Sequence, residues 1–144
     1  MQIPTYTSGL LFTKAHKAVR LRIYDVLEKY DLNPTYWSIL GATAQASEGI
    51  RLARVAEIVD MTAPMITVMA NDLTEKGLIK RVPHHSDGRA KLLVMTPRGK
   101  KLAAAIEEEL AATIAGLLRG LSSAEIVTFQ KILAIIISNA ETKD

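Results

Sequence analysis

The 144-residue sequence contains no cysteine. Disulfide bonds, thiolate nucleophiles, zinc–thiolate sites and thiol-based redox sensing are therefore excluded. Aromatic residues make up 5% of the chain, so the core must consist mainly of Ala, Leu, Ile, Val and Met. The sequence also lacks a glycine-rich phosphate loop and any serine or carboxylate pair near a histidine at a catalytic spacing. We therefore expect a protein that is not an enzyme.

Long hydrophobic runs are absent as well. The longest purely apolar run, residues 132–137, is far shorter than the ~20 residues that cross a bilayer. The first thirteen residues show no basic start followed by an apolar stretch, so we expect no signal peptide. The length is typical of one domain, since single domains usually have roughly 100–200 residues. We expect a soluble, cytoplasmic, single-domain protein.

Positive charge is concentrated in one stretch of the chain. Residues 76–101 hold eight basic residues against one acid, Asp87, which gives this stretch a net charge of +7. The other ten basic and fourteen acidic residues give the rest of the chain a net charge of −4. Such an uneven distribution is a stronger indication of nucleic-acid binding than the overall charge of +3.

Helices are predicted over most of the sequence, because apolar residues recur at spacings of three and four. The predicted helices span residues 8–30, 34–47, 53–59, 63–76, 98–118 and 122–140. Asn33 and Thr62 are suited to capping the helices that follow them. Gly77 is typical of a helix end. Ser122 and Glu125 have the spacing of a capping box.

A β-hairpin is predicted inside the basic stretch. Residues 79–85 and 90–96 favour strands, and Asp87-Gly88 is a preferred turn pair between them. Pro83 fits the first of these strands only at the edge of a sheet. Residues 50–52 are either a small strand or an extended link. Two helices joined by a tight turn and followed by a hairpin are typical of a winged helix-turn-helix.

The long first and last helices carry more apolar surface than a unit of this size must bury. We infer that these helices pack against a second copy of the chain, and we expect a homodimer.

Three sequence fragments resemble the multiple antibiotic resistance regulator (MarR) family of transcription factors. They are LTEKGLIKR at residues 73–81, DGR at 87–89 and LVMTPRG at 93–99. Each fragment is weak alone, but their order and spacing match the recognition helix, wing and helix start of that family over nearly the full length of the chain.

The resemblance implies a mainly α (α+β) fold, a winged helix-turn-helix with long N- and C-terminal dimerisation helices. It divides the single domain, residues 1–144, into a DNA-binding lobe at 34–97 and dimerisation helices at 1–33 and 98–144. The implied function is a ligand-responsive repressor that binds a pseudo-palindromic operator in double-stranded DNA as a homodimer.

The same resemblance implies a set of DNA-binding residues. Arg89 matches the wing-tip arginine that enters the minor groove, where negative potential favours a guanidinium. Asp87 matches the acid that orients wing arginines by ion pairing. The recognition helix would contribute Thr62, Pro64, Met65, Thr67, Val68 and Asn71. Contacts to phosphates would come from Arg51, Arg54, Lys80, Arg81 and Lys91, alongside Arg89.

One departure from the family pattern motivates an alternative. Family members often carry a basic residue in the middle of the recognition helix, whereas this chain has Val68 there. With Ile66, Met69 and Leu73 taken as the buried stripe, no basic residue lies on the opposite face. The alternative is a winged-helix protein-interaction module in which DNA binding is weak or lost.

Small-molecule and metal sites are less well defined by the sequence. No cofactor is expected, and a small aromatic or phenolic effector is implied by the resemblance. Phe12, His16, Arg20, Tyr36 and Trp37 lie on the first two helices, where such effectors bind in the family. We favour the simpler interpretation, in which Phe12 and Trp37 belong to the core and Arg20 to the surface. The chain's three histidines include His84 and His85, and the segment around them offers too few ligands for a metal.

Overall fold

The computed structural model describes residues 4–142. It contains six helices and a three-stranded sheet within those residues: α1 (Thr5–Glu28), α2 (Pro34–Gln45), β1 (Ile50–Arg51), α3 (Leu52–Val59), α4 (Ala63–Glu75), β2 (Ile79–Pro83), β3 (Lys91–Met95), α5 (Pro97–Leu117) and α6 (Ser123–Glu141). The predicted fold class, a mainly helical winged helix-turn-helix with long terminal helices, is confirmed. Residues 50–51, for which two interpretations were open, form a strand.

Two of the three predicted helix caps are present, and Thr96 provides a further one. The Asn33 side chain accepts hydrogen bonds from the amides of residues 35 and 36, at 2.9 and 3.0 Å. Ser122 and Glu125 form the predicted capping box. Thr96 accepts a bond from the Gly99 amide at 2.9 Å. The predicted side-chain cap by Thr62 is wrong: it precedes α4 in an extended conformation, and its hydroxyl accepts no capping bond.

The helix-turn-helix of α3 and α4 ends both of its helices with a left-handed residue. Asp60 has φ 55°, and the amide of Met61 then bonds to the carbonyl of Ala56 at 3.0 Å. Gly77 has φ 71°, and the amide of Leu78 bonds to the carbonyl of Leu73 at 3.0 Å. Glycine adopts this conformation without steric penalty, as predicted for the end of α4.

The wing is the antiparallel pair of β2 and β3. The strand order is β1-β3-β2, which places Pro83 on an edge strand as predicted. Both strands are shorter at the tip than expected, because β2 ends at Pro83 and β3 begins at Lys91. The turn predicted at Asp87-Gly88 is present, since the amide of Ala90 bonds to the carbonyl of Asp87 at 3.0 Å, but it lies within a longer connection than predicted. A seven-residue connection, residues 84–90, joins the strands, and it is closed by the bond from the His84 amide to the Ala90 carbonyl at 2.9 Å.

The core lies within the unit formed by α2, α3, α4 and the sheet, and it extends to the end of α1 and the middle of α5. Its fully buried side chains include Leu27, Ile39, Ile66, Leu93 and Ile106. The stripe predicted for α4 is essentially confirmed, since Ile66 and Leu73 are buried and Met69 packs against the core; Ala70 is also buried.

The terminal helices behave differently from the core elements. None of the residues of α6, 123–141, is buried in the single chain, and α1 buries only its last turns, at Val26 and Leu27. By length and composition alone, α6 could also cross a membrane. Lys131 lies at its midpoint, and an ammonium group at the centre of a bilayer costs about 2.5 kcal/mol or more. The exposed apolar surface of α6 therefore suits a protein partner better than lipid.

Candidate DNA-binding surface

The outer face of α4 is exposed and carries no basic side chain among its residues, 63–75. Pro64, Met65, Val68 and Asn71 all lie on the surface, as the sequence analysis placed them. Thr67 is half-buried, and its hydroxyl donates to the Ala63 carbonyl at 2.8 Å. The donor of Thr67 is therefore engaged within the helix, which leaves the Asn71 amide and, in the last turn, the Glu75 carboxylate as the polar groups of this face.

The acidic residues of α4 point to different places. Asp72 is half-buried and lies beside Tyr36 of α2, where its carboxylate raises the pKa of the Tyr36 phenol. Glu75 is exposed in the last turn, after Asn71. Asp72 is thus turned toward the lobe rather than toward a ligand on the outer face, so less negative charge opposes DNA than the sequence alone allowed.

Asp87 shapes the wing tip in a way the sequence did not predict. Its carboxylate accepts a hydrogen bond from the main-chain amide of Arg89 at 3.1 Å, and its carbonyl accepts from the amide of Ala90 at 3.0 Å. No ion pair involves Asp87 among residues 4–142. The acid therefore fixes the backbone that carries Arg89, because Asp side chains bond readily to amides two residues ahead. The Arg89 side chain is exposed.

Two faces of the wing carry cations. Successive residues of a strand point to opposite faces of a sheet, so Lys80 and Arg81 lie on different faces. Cross-strand partners share a face of the sheet. Arg81 pairs with Leu93 and Pro83 pairs with Lys91, so Arg81 and Lys91 lie on the same face. Lys80 shares the other face with β1 residue Arg51, whose partner is Leu92. Together with Arg54 and Arg89, these exposed residues form a set that we call the interface cations: Arg51, Arg54, Lys80, Arg81, Arg89 and Lys91.

One interface cation has an acidic neighbour on the same helix. Arg54 pairs with Glu57 at 2.8 Å, and both side chains are more than 60% exposed. An exposed pair of this kind contributes roughly 0–1 kcal/mol, so it is easily exchanged for a phosphate. Lys76, by contrast, pairs with Asp31 in the α1–α2 connection, so the carboxylate of Asp31 offsets one positive charge of the basic stretch.

Sequence reasoning missed a set of polar contacts that connect the end of α1 to α5 and the α1–α2 connection to the end of α4. The Glu109 carboxylate on α5 accepts from the Lys29 ammonium and from the Tyr30 hydroxyl, the latter at 2.9 Å. The bond from Lys29 and then that from Tyr30 hold the pKa of Glu109 below its usual value. The next residue, Asp31, reaches Lys76 at the end of α4. The partners are 45 to 80 residues apart, and no local sequence pattern predicts these contacts.

The five aromatic and basic residues considered for an effector are not brought together. Phe12 lines an apolar groove between α1 and α6 with Phe129, and His16 and Arg20 are exposed along α1. Trp37 lines a separate cavity of about 310 Å³ between α1, α2 and α5. The other residues of that cavity are Ile23, Glu107, Leu110, Ala111 and Ile114.

The two wing histidines face a groove of about 340 Å³ beside β1. Its lining residues are Glu48, Gly49, Ile50, Arg51, Arg54, His84, His85 and Leu92. Within the described residues, 4–142, no group of three or more His, Asp or Glu side chains is arranged to hold a metal ion. His84 bonds through Nδ1 to the amide and hydroxyl of Ser86, at 3.2 and 3.0 Å.

These features define a winged helix-turn-helix fold in which the second helix of the motif, α4, is exposed and the wing carries cations. Residues 30–90 match the model of the MarR family. The regulator BldR from Sulfolobus solfataricus is 25% identical, and the match covers 96% of this chain and 99% of that one with a TM-score of 0.80. Over residues 30–90 the chain thus matches the MarR family of transcriptional regulators, and over nearly its whole length it has the fold of BldR.

Two other solved structures show the same fold over nearly the whole chain. CouR from Rhodococcus jostii RHA1, bound to p-coumaroyl-CoA, is 22% identical, with coverage of 94% and 95% and a TM-score of 0.83. A mutant MarR from E. coli, complexed with operator DNA, is 18% identical, with coverage of 89% and 91% and a TM-score of 0.77. The fold thus occurs in one protein with a bound small molecule and in another with bound DNA.

Proposed function

We propose that this protein is a cytoplasmic, ligand-responsive repressor that binds a pseudo-palindromic operator as a homodimer. In this arrangement, residues 34–97 form the DNA-binding lobe, and residues 1–33 and 98–144 form the dimerisation helices. The observation that carries the proposal is the combination of an exposed α4 with the interface cations on β1, on α3 and on both faces of the adjoining wing. The DNA complex of the E. coli relative supports this use of the fold.

The homodimer is supported by the exposed apolar side chains of the terminal helices. Phe12 of α1 and Phe129 of α6 are 52% and 46% exposed in the single chain, and Ile132 and Ile136 of α6 are 48% and 42% exposed. Large contiguous apolar surfaces mark interfaces, because their exposure to water is unfavourable. A second copy would cover them and would set the separation of the two α4 helices, which should match half-sites about 34–36 Å apart.

The DNA contacts follow from the shape and charge of the lobe. With α4 in a major groove, the wing tip would bring Arg89 to the neighbouring minor groove, where its guanidinium gains from the concentrated negative potential. The two cationic faces of the wing would then each meet one of the two phosphate backbones that border that groove. Asp87 contributes by fixing the tip backbone rather than by neutralising Arg89.

Regulation would act through the cavity beside Trp37. An effector bound there touches α1, α2 and α5, which belong to both the dimerisation region and the DNA-binding lobe. It would lower DNA affinity by preferring a dimer in which the α4 helices have a different separation. Because Glu107 is the charged side chain at this cavity, we expect an uncharged phenol that donates to its carboxylate, rather than a benzoate-like anion.

The second candidate function is a protein-interaction module with weak or lost DNA binding. It is motivated by the apolar, unbasic outer face of α4. The interface cations argue against a protein-interaction module, since a protein-docking surface does not require cations on both faces of a wing.

A mobility-shift and footprinting experiment tests the proposal. The purified protein is titrated against the DNA upstream of its own gene at about 50 mM and about 200 mM salt. We expect protection of two half-sites about one helical turn apart and markedly weaker binding at the higher salt concentration. Absence of binding at the lower salt concentration would contradict the proposal and favour the module.

A further inference from the structure

The outer face of α4 has an unusual chemistry for a surface that meets DNA. Val68 is 68% exposed and Met65 is 51% exposed, because no other element of the lobe covers them. They lie on the same side of the helix as Asn71, at intervals of three residues. From Ala63 to Asn71 this side offers one amide and several apolar groups, because the hydroxyl of Thr67 donates to its own helix. The exposed carboxylate of Glu75 follows in the last turn.

We propose that α4 reads its operator mainly through the C5-methyl groups of thymines, which Met65 and Val68 contact. The inference rests on the proposed function and specifies how the sequence is read. Each base pair shows a distinct pattern in the major groove, and the thymine methyl is the feature that an apolar side chain recognises. Asn71 adds the polar component, since its amide can bond to the N6 and N7 of an adenine in a bidentate manner.

The spacing of the three side chains fits a short run of base pairs. A helix rises 1.5 Å per residue, so Met65 and Asn71 are about 9 Å apart along the axis of α4. That length corresponds to nearly three base-pair steps at about 3.4 Å each. We therefore expect each half-site to contain thymines at the positions of Met65 and Val68, close to an adenine at the position of Asn71.

The distribution of positive charge on the protein supports this mode of base recognition. The interface cations lie on β1, α3 and the wing, and none of them is on α4. They supply affinity for phosphates without sequence information. Apolar contacts on α4 would then carry the discrimination between bases, and an arginine that bonds to guanine is not needed there.

A cycle of protein and DNA substitutions tests the proposal. A duplex is selected from random DNA with the full-length protein, and its half-site thymines are replaced by deoxyuridine, which removes only the C5-methyl group. Binding of both duplexes is measured for the wild type, for Val68→Ala and for the matched control Ile58→Ala. Ile58 is also an exposed apolar residue, at 51%, but it lies on α3.

We expect the wild type and Ile58→Ala to lose about three- to fivefold in affinity for each contacted thymine that is replaced. Val68→Ala should bind the thymine duplex more weakly and should lose the sensitivity to replacement at its own position. Changes in DNA stiffness caused by uracil act equally on all three proteins, so they cancel in this comparison.

Two outcomes would overturn the inference, and they differ. If the wild type binds the selected duplex but tolerates uracil at every position, DNA binding stands and methyl reading is wrong. If the protein selects no DNA sequence at all, the proposed function fails, and the apolar face of α4 belongs to a protein-docking module.

Discussion

Replacing Gly99 by alanine tests the junction that joins the wing to α5. Gly99 is buried in the first turn of α5, and its Cα lies directly against the backbone of Leu78. A Cβ at this position would be 2.0 Å from the Leu78 carbonyl oxygen and 2.9 Å from its carbonyl carbon. The same oxygen accepts the Thr96 amide at 3.1 Å, and the Thr96 hydroxyl donates to the Gly77 carbonyl at 2.6 Å.

The expected loss of stability follows from this geometry. An ordinary contact requires at least 3.4 Å, so the backbone of Leu78 or α5 must move by more than 1 Å. Overpacking in a core costs about 1–3 kcal/mol, and a clash with hydrogen-bonded backbone belongs at or above the upper end of that range. For a chain of this size, about 3 kcal/mol corresponds to a decrease of roughly 6–12 °C in Tm.

Thermal unfolding followed by circular dichroism measures this effect. Protein concentration must be held constant, because the Tm of a dimer depends on it. The matched control is Gly41→Ala in the middle of α2, where an added Cβ would meet nothing within 4 Å. The control should be stabilised by about 0.5–1 kcal/mol, since alanine favours helix over glycine. A Gly99→Ala protein that melts with the wild type would refute the reasoning about the junction.

Three further predictions concern the wing, the dimer and acid stability. Arg89→Ala should weaken DNA binding for all sequences and reduce the salt slope by about one unit per contact, whereas Arg119→Ala, which removes an equal charge between α5 and α6, should do neither. Ile136→Glu should yield a monomer of 15.7 kDa in analytical ultracentrifugation; a persistent dimer would contradict the assignment of α6 to the interface. Because the pKa of Glu109 is lowered in the folded protein, its stabilising contribution is present above its unfolded pKa and is lost as pH falls through the folded one. The Tm difference between wild type and Lys29→Met should therefore shrink between about pH 5 and pH 3, and a constant difference over that range would count against the pair.

The elements of the fold could be predicted because their signals are local. Apolar spacing located the helices, and the Asn33 cap, the Gly77 end and the Ser122–Glu125 capping box are each set by neighbours within a few residues. The isoleucine-rich segment of α6 formed a helix as expected, although isoleucine favours strands, because its length and spacing outweighed that preference. Such signals need no knowledge of the rest of the chain.

The features that could not be predicted depend on distant parts of the chain or on details of loop geometry. The ties of Glu109 to Lys29 and Tyr30 join residues about 80 positions apart. The turn predicted at Asp87-Gly88 is present over residues 87–90, but the strands end earlier than predicted, so the connection at the wing tip is longer.

Of the candidate DNA-binding residues, sequence reasoning identified the exposed face of α4 and the cationic wing. It could not identify that the donor of Thr67 and the carboxylate of Asp72 are directed within the lobe. Those two contacts depend on the rotamers of α4 and on the approach of α2. They leave the outer face of α4 more apolar than the sequence suggested.

The central claim is that the interface cations of a dimer bind the phosphates of the DNA backbone. The salt dependence of binding tests this claim most directly. Fluorescence anisotropy of a labelled duplex gives Kd between about 50 and 200 mM salt. If half of the six interface cations of each subunit contact phosphates, the dimer makes about six contacts, and log affinity should fall against log salt with a slope of roughly −5, a loss of about a thousandfold over this range. A slope near zero, or no binding at the lowest salt concentration, would contradict the account.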